Sequence, residues 1–206
     1  MASDLSPALK STTAKAYLIG RGLSTDEIRK WGILWDRYRK AVVLPVLDFW
    51  GGVVFLTLRR LEGEGPKWVH LNPDLSSTGV PARNWLYGCH QEPSAPAVLV
   101  EGPFDAISVA RLGYVGLAVL GSALTTVKGA LLTRFAQEGK VYCWPDSDNP
   151  TSPETWGRVA RKFDIQVVAP PAPYSPLHPE GKLDPDWLVR EDREWIEFGL
   201  HQMTRG

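Results

Sequence analysis

Val98-Leu99-Val100-Glu101-Gly102-Pro103-Phe104-Asp105-Ala106 and, further on, Val141-Tyr142-Cys143-Trp144-Pro145-Asp146-Ser147-Asp148 share one plan: a short apolar run that ends in carboxylates. A continuous apolar run of this length reads as a strand buried on both faces, as in parallel sheets, where covering helices leave neither face to water. Open α/β sheets bind their ligands at the carboxyl ends of such strands. Glu101 from the first run and Asp146 and Asp148 from the second are therefore expected at one sheet edge. Carboxylates that close repel one another and raise each other's pKa unless a cation joins them. The expectation is a site for Mg²⁺ or a similar hard divalent ion.

The chain between and after these runs alternates strand and helix. Pro103 suits the first turn of a helix reaching Leu112, with Phe104, Ile107 and Ala110 inward. Val115–Leu120 reads as the next strand, Gly121-Ser122-Ala123 as a small-residue turn too short for a phosphate loop, and Thr126–Gln137 as a helix. Asn149–Glu154 is a polar loop before a helix carrying Trp156, Val159, Ala160 and Phe163, and Ile165–Ala169 is a further strand. This alternation implies right-handed βαβ crossovers and a mostly parallel sheet. Pro170–Pro179 is too proline-rich for regular structure and is expected to wrap the surface. Asp184-Pro185 reads as an ordinary helix N-cap, and Asp192 can cap a final helix through Leu200.

The N-terminal part reads differently. Ala8–Gly22 is expected to be a helix, and Ser24-Thr25-Asp26-Glu27 has the capping-box pattern for a second, short helix that ends at Gly32. Ala41–Asp48 and Val53–Leu61 are β-rich runs joined by Phe49-Trp50-Gly51-Gly52, a hairpin whose glycines supply positive φ. Pro45 argues that its strand is an edge or locally irregular. Glu62–Pro66 turns the chain into a third run, Lys67–Asn72, and Gln91–Pro96 is a linker by composition. Arg59, Arg60, Lys67 and Arg83 fall at the ends of these elements. As a set they form a cationic ridge suited to a phosphate backbone; taken singly, each is a solvated surface charge.

Composition narrows the class. With 206 residues, 44% hydrophobic and 22% charged, the chain has an ordinary globular make-up, and its net charge of zero requires any nucleic-acid surface to be a local patch. Cys89 and Cys143 stand far apart without Cys-x-x-Cys or paired histidines, which argues against structural zinc and for buried reduced thiols. Neither a signal region nor an apolar run of membrane length is present, so a cytoplasmic location is expected. The nine tryptophans are scattered and read mainly as packing residues rather than base-stacking ones.

Glu101-Gly102-x-x-Asp105-Ala106, then Gly121 after an apolar run, then Asp146-Ser147-Asp148, resembles a Toprim domain. Several upstream features resemble the catalytic core of DnaG-type primases in the same order. They are Tyr17-Leu18-Ile19-Gly20-Arg21-Gly22-Leu23, the hairpin ending in Arg59-Arg60, Lys67-Trp68, and Arg83 followed by Leu86-Tyr87-Gly88. From the first of these alone, a plain helical hairpin is an equal reading. The sequence departs from that family at Ser147, where glycine is usual, and in the extra spacing before Asn72.

The resemblance implies an α/β fold: a smaller N-terminal α+β subdomain over residues 1–92, a Toprim domain with a mostly parallel sheet and flanking helices over 93–190, and a C-terminal helix over 191–206. It implies a DNA primase, a nucleotidyltransferase and DNA-directed RNA polymerase. Metal binding and catalysis fall to Glu101, Asp146 and Asp148, with Asp184 and Asp186 supporting a further Mg²⁺ or Mn²⁺. Asp105 reads as helix capping or support. The implied partners are single-stranded DNA and ribonucleoside triphosphates, with a replicative helicase or a separate zinc-binding module, in a bacterial cell or phage-infected host. A Toprim nuclease and a non-catalytic nucleic-acid-binding relative are the alternatives.

Overall fold

The computed structural model describes residues 5–71, 84–121, 123–146, 152–169 and 184–205. The chain divides into two compact units, Met1–Ala82 and Arg83–Gly206.

The first unit is built on a five-stranded antiparallel sheet whose spatial order follows the chain: β1 (Leu5–Pro7), β2 (Leu34–Asp36), β3 (Ala41–Leu47), β4 (Val53–Arg60) and β5 (Trp68–Leu71). A 3₁₀ turn at Ala8–Lys10 and the helices α1 (Thr12–Gly20) and α2 (Thr25–Lys30) lie between β1 and β2. The single helix expected over Ala8–Gly22 is thus split. Ser11 interrupts it with extended backbone, and its side chain accepts the Ala14 N–H at 3.2 Å as the N-cap of α1. At α2 the capping box forms in both directions: Ser24 accepts the Glu27 N–H at 3.2 Å, and Glu27 accepts the Ser24 N–H at 2.7 Å. Gly32, at φ +59°, then turns the chain out of the helix.

The short strands β1 and β2 are absent from the sequence reading, and they make β3 an interior strand. Pro45 is nevertheless tolerated there. β2 pairs only with Ala41–Val43, so Pro45 lies beyond its end, and the register with β4 slips just after it, between Val46 and Leu47. The β3–β4 turn also differs in its cause. Only Gly51 takes positive φ, at +85°, and the buried Asp48 carboxylate organises the loop by accepting the Trp50 and Gly52 N–H groups at 2.9 and 2.8 Å. Ala41, Val43 and Leu58 form a buried cluster against Leu5, Leu34, Leu56, Val69 and Leu71.

The second unit holds a four-stranded parallel sheet in the order β7 (Val115–Ala118), β6 (Ala97–Val100), β8 (Lys140–Cys143), β9 (Gln166–Val168). Every residue of β6 and β7 is buried, as a strand covered on both faces requires. The crossovers are α3 (Pro103–Arg111), α4 (Thr126–Leu132) and α5 (Ser152–Ala160), followed after β9 by α6 (Pro185–Glu191) and α7 (Arg193–Arg205). Right-handed connections place α3 on one face and α4 and α5 on the other, in keeping with the packing of α3 on α6, α6 on α7, and α4 on α5. Gly116 is required by proximity, since a side chain there would overlap the Ala106 carbonyl of α3. Gly199 likewise makes room on α7 for the Trp144 ring, whose residue is fully buried. Helix α4 ends at Leu132, five residues short of the expected Gln137. Trp31, Trp35, Trp85, Trp144 and Trp156 are buried, in line with a packing role, whereas Trp50 is 81% exposed at the hairpin tip. Among the described residues, no helix is long and apolar enough to cross a membrane.

Candidate active site

From β6 the chain goes outward to β7 in one direction, then crosses back past β6 to β8. The switch point of the parallel sheet therefore lies between β6 and β8, which is where open α/β sheets open a crevice for ligand. Leu99 pairs with Cys143 in parallel register, so Glu101 and Asp146 leave the carboxyl ends of these two strands a few residues further on. Both are half-buried. Ser152, 2% exposed at the start of α5, donates its hydroxyl to Glu101 Oε1 at 3.0 Å.

Asp105 plays the supporting part expected of it. Gly102 is the N-cap of α3 and makes no side-chain cap bond, while Asp105 sits in the first turn and is 8% exposed. Its Oδ1 accepts the backbone N–H of Asp186 at 3.1 Å, a tie across 81 residues that fixes α6 against α3. Its Oδ2 lies 2.5 Å from where a Cβ on Gly102 would stand, which explains the glycine in Glu-Gly-x-x-Asp by space rather than by φ. Burial pushes the Asp105 carboxyl well above the usual carboxylate range, and repulsion from Asp184, Asp146 and Asp186 pushes it further, against a smaller opposing pull from the Asp186 N–H. Four acids from α3, the end of β8 and the start of α6 are thus electrostatically joined.

Asp184 takes the capping role open to it: it accepts the Trp187 N–H at 2.8 Å, with Pro185 in the first turn of α6. Asp186 is 4% exposed, with the Arg190 guanidinium 3.5 Å from its Oδ2. The donor set is all oxygen, which suits a hard cation such as Mg²⁺ rather than Zn²⁺, and mutual repulsion gives such a cation something to relieve. Among the described residues alone, no three such side chains are placed to hold a metal together. Asp148 lies outside the described residues, as do Ser147 and Arg83. Cys143 takes no chemical part, because burial pushes its thiol up to about 12 and keeps it protonated.

The remaining basic candidates belong to the first unit. Arg59 pairs across the sheet with Trp68, and its guanidinium lies 5.4 Å from the Trp68 ring centroid. Arg60 donates its backbone N–H to the Lys67 carbonyl at 2.9 Å, and its guanidinium reaches the Glu64 carbonyl. Lys67 is exposed. Arg59 and Arg60 are successive residues at the end of β4, so their side chains leave the strand on opposite faces.

Comparison with known proteins agrees with this arrangement. The Toprim-like family matches residues 98–152, the span of the first two acid-ended strands. A solved DnaG primase catalytic domain bound to ssDNA superposes with a TM-score of 0.70 at 26% identity, covering 96% of this chain and 73% of that one. In sequence and fold the chain is similar to the Toprim-containing catalytic core of DnaG-type primases. The Aquifex aeolicus primase (zinc binding and RNA polymerase domains) shares the primase-core fold with a TM-score of 0.76 at 23% identity, over 96% of this chain and 56% of that one. The DNA primase of Deinococcus radiodurans is 29% identical over 204 residues, which is 92% of this chain. The chain spans only 34% of that primase's length. The alignments of the chain with all three proteins run through both of its units.

Two site-associated residues have no counterpart in the sequence reading. By sequence Ser152 falls in a polar loop and Lys128 in a helix; neither residue type stands out without the fold that brings it to Glu101 or to the β7 strand end.

Proposed function

We propose that this chain is the catalytic core of a DNA primase, a DNA-directed RNA polymerase that makes short RNA primers on single-stranded DNA. One observation carries the reading: a Toprim-type sheet with Glu101 and Asp146 at its switch point follows, in the same chain, an antiparallel sheet that ends in Arg59, Arg60 and Lys67. Sequence and fold alignment with primase cores through both units supports it.

In this reaction a 3′-hydroxyl attacks the α-phosphate of a ribonucleoside triphosphate; the new P–O bond forms as the bond to the β-phosphate breaks, and pyrophosphate leaves. Bound Mg²⁺ or Mn²⁺ supplies charge neutralisation at the reacting phosphate and the leaving group. Glu101, Asp146 and Asp148 are assigned to hold it, with Asp184 and Asp186 supporting a further ion. Glu101 also accepts the hydroxyl proton, its carboxylate steadied by Ser152. Arg59, Arg60, Lys67 and Arg83 hold template and nucleotide phosphates. A replicative helicase and a separate zinc-binding module are the protein partners this reading assigns, in the cytoplasm of a bacterial or phage-infected cell.

Incubation with single-stranded DNA, labelled ribonucleotides and Mg²⁺ or Mn²⁺ tests the reading. New oligonucleotides are expected. Shortening of the template would replace the primase with a nuclease using the same acids, and binding without reaction would leave a non-catalytic relative. Calorimetric titration with Mn²⁺ should show clear binding that Asp146→Asn/Asp148→Asn weakens at least about tenfold, as loss of charged ligands does. Equal binding by both proteins would move the metal elsewhere.

A further inference from the structure

Lys128 stands in the first turn of α4 and is 4% exposed. Stripping water from an ammonium is unfavourable, and burial accordingly lowers its pKa to about 8. What it gains is a backbone partner: Lys128 Nζ donates to the Val119 carbonyl at the end of β7. That carbonyl belongs to the peptide joining Val119 to Leu120, and the N–H of the same peptide donates to the Glu101 carbonyl at 3.0 Å. A peptide group is rigid and planar. One plane therefore connects the Lys128 amine to the backbone of Glu101.

The surroundings hold that plane in place. Leu120 has φ +60°, a left-handed conformation that a leucine rarely adopts unless neighbouring structure imposes it. Val119 donates its own N–H to the Val100 carbonyl at 2.9 Å, so two successive bonds tie this strand end to the one bearing Glu101. On the other side, Thr125 accepts the Lys128 N–H at 3.2 Å and donates its hydroxyl to Asn84 Oδ1 at 3.0 Å, which anchors the start of α4. A charged donor on a carbonyl polarises the peptide and strengthens the bond made by its N–H.

We propose that Lys128 is a positioning residue for Glu101: through the Val119–Leu120 peptide it fixes the strand end from which the Glu101 carboxylate acts. The inference rests on the assignment of Glu101 to the reacting phosphate. Lys128→Met removes the donor and the charge at nearly constant volume in an apolar setting, and Lys128→Arg keeps a cationic donor. In Lys128→Met, turnover in primer synthesis should fall about 10–100-fold, the range that small misplacements of a reacting group produce. Single-stranded DNA affinity and nucleotide KM should stay within about twofold. Exchange of the Leu120 amide hydrogen should accelerate about tenfold or more while that of Val119 does not.

Stability separates this role from a merely structural one. Relief of the buried amine offsets the lost donor, so Tm should move by no more than about 4 °C, and Lys128→Arg should recover part of the turnover. Wild-type turnover in Lys128→Met overturns the inference, and so does a loss of turnover that tracks a large fall in Tm. If the wild-type chain makes no primers, the activity assignment fails separately. The exchange experiment then decides the tie alone, and unchanged Leu120 protection in Lys128→Met overturns it.

Discussion

The two sheets handle charge in opposite ways. In the antiparallel sheet the strands neighbour one another in chain order, and charged residues settle with partners close by in sequence or across one hairpin. Asp36 binds Arg39 at 2.8 Å, Asp48 binds the N–H groups of its own turn, and Lys40 meets Glu62 at 2.6 Å. In the parallel sheet the order is β7-β6-β8-β9, and the crossovers gather acids from distant parts of the chain. Burial pushes the Asp105 carboxyl well above the usual carboxylate range, and Asp184, Asp146 and Asp186 push it further. Local pairing settles these charges within one turn or hairpin, whereas the crossovers of the parallel sheet bring acids from distant segments together, where a cation can offset their repulsion of Asp105. The basic residues at the end of the antiparallel sheet would suit holding a polyanion; the acids gathered by the parallel sheet would suit reacting with one.

The largest expected effect tests the second half of that contrast. Glu101→Gln keeps the side chain's size and its capacity to meet Ser152, but removes the charge. Turnover should fall about 10²–10⁴-fold, the usual contribution of a positioned general base, while template affinity stays within about twofold. Measuring synthesis and single-stranded DNA binding side by side checks this; near-wild-type synthesis would remove Glu101 from the mechanism. A smaller effect tests the first half. Arg59→Ala/Arg60→Ala/Lys67→Ala should weaken single-stranded DNA binding about tenfold and lower the slope of log affinity against log salt by about 2, at roughly 0.7 per lost phosphate contact. Turnover at saturating template should be nearly kept. An unchanged salt slope would mark the three residues as solvated surface, and a collapse of turnover at saturation would break the division of labour between the sheets.

Much of the parallel sheet is legible in the sequence because its strands are uniformly apolar and end in acids. Val98–Val100 and Val141–Cys143 admit few other readings, and the motif glycines and acids that follow carry the resemblance to Toprim domains. The antiparallel sheet is legible where hairpins are short and hidden where pairing is remote. Leu5–Pro7 and Leu34–Asp36 are three-residue strands that pair with each other across 26 intervening residues, too brief for periodicity to mark. Pro45 argues for an edge or a local irregularity, and the second holds: β3 is interior, with its register against β4 slipping between Val46 and Leu47. Asp105 shows the same limit within the site: its place in the motif is visible, but the backbone group it binds belongs to Asp186, and only tertiary structure brings the two together. Lys128 gives no signal at all, since a lysine in a short helix is ordinarily exposed.

The smallest effect sharpens the contrast by asking whether the acid cluster is a strain held for a ligand. Asp105→Asn keeps an oxygen for the Asp186 N–H and removes one of the repelling charges. Without divalent cation, this should raise Tm by about 2–6 °C, at about 2–4 °C per kcal/mol released for a chain of this size. The pH dependence follows from the direction of the shift. With its folded pKa raised above the ordinary value of about 3.9, Asp105 binds more protons in the folded state than in the unfolded one, so wild-type stability falls as pH rises from about 4 through the raised value. The variant should lack that component, and the stability difference between the two proteins should shrink as the pH approaches 4. Added Mn²⁺ acts in the opposite sense, stabilising wild type by mass action and the variant less. Thermal melts in EDTA and in Mn²⁺ across this pH range measure all three. A variant less stable than wild type in EDTA, with an unchanged pH profile, would mean that the Asp105 charge is already compensated within the protein, and the buried acids would then be an architectural tie between α3 and α6 rather than a site awaiting a cation.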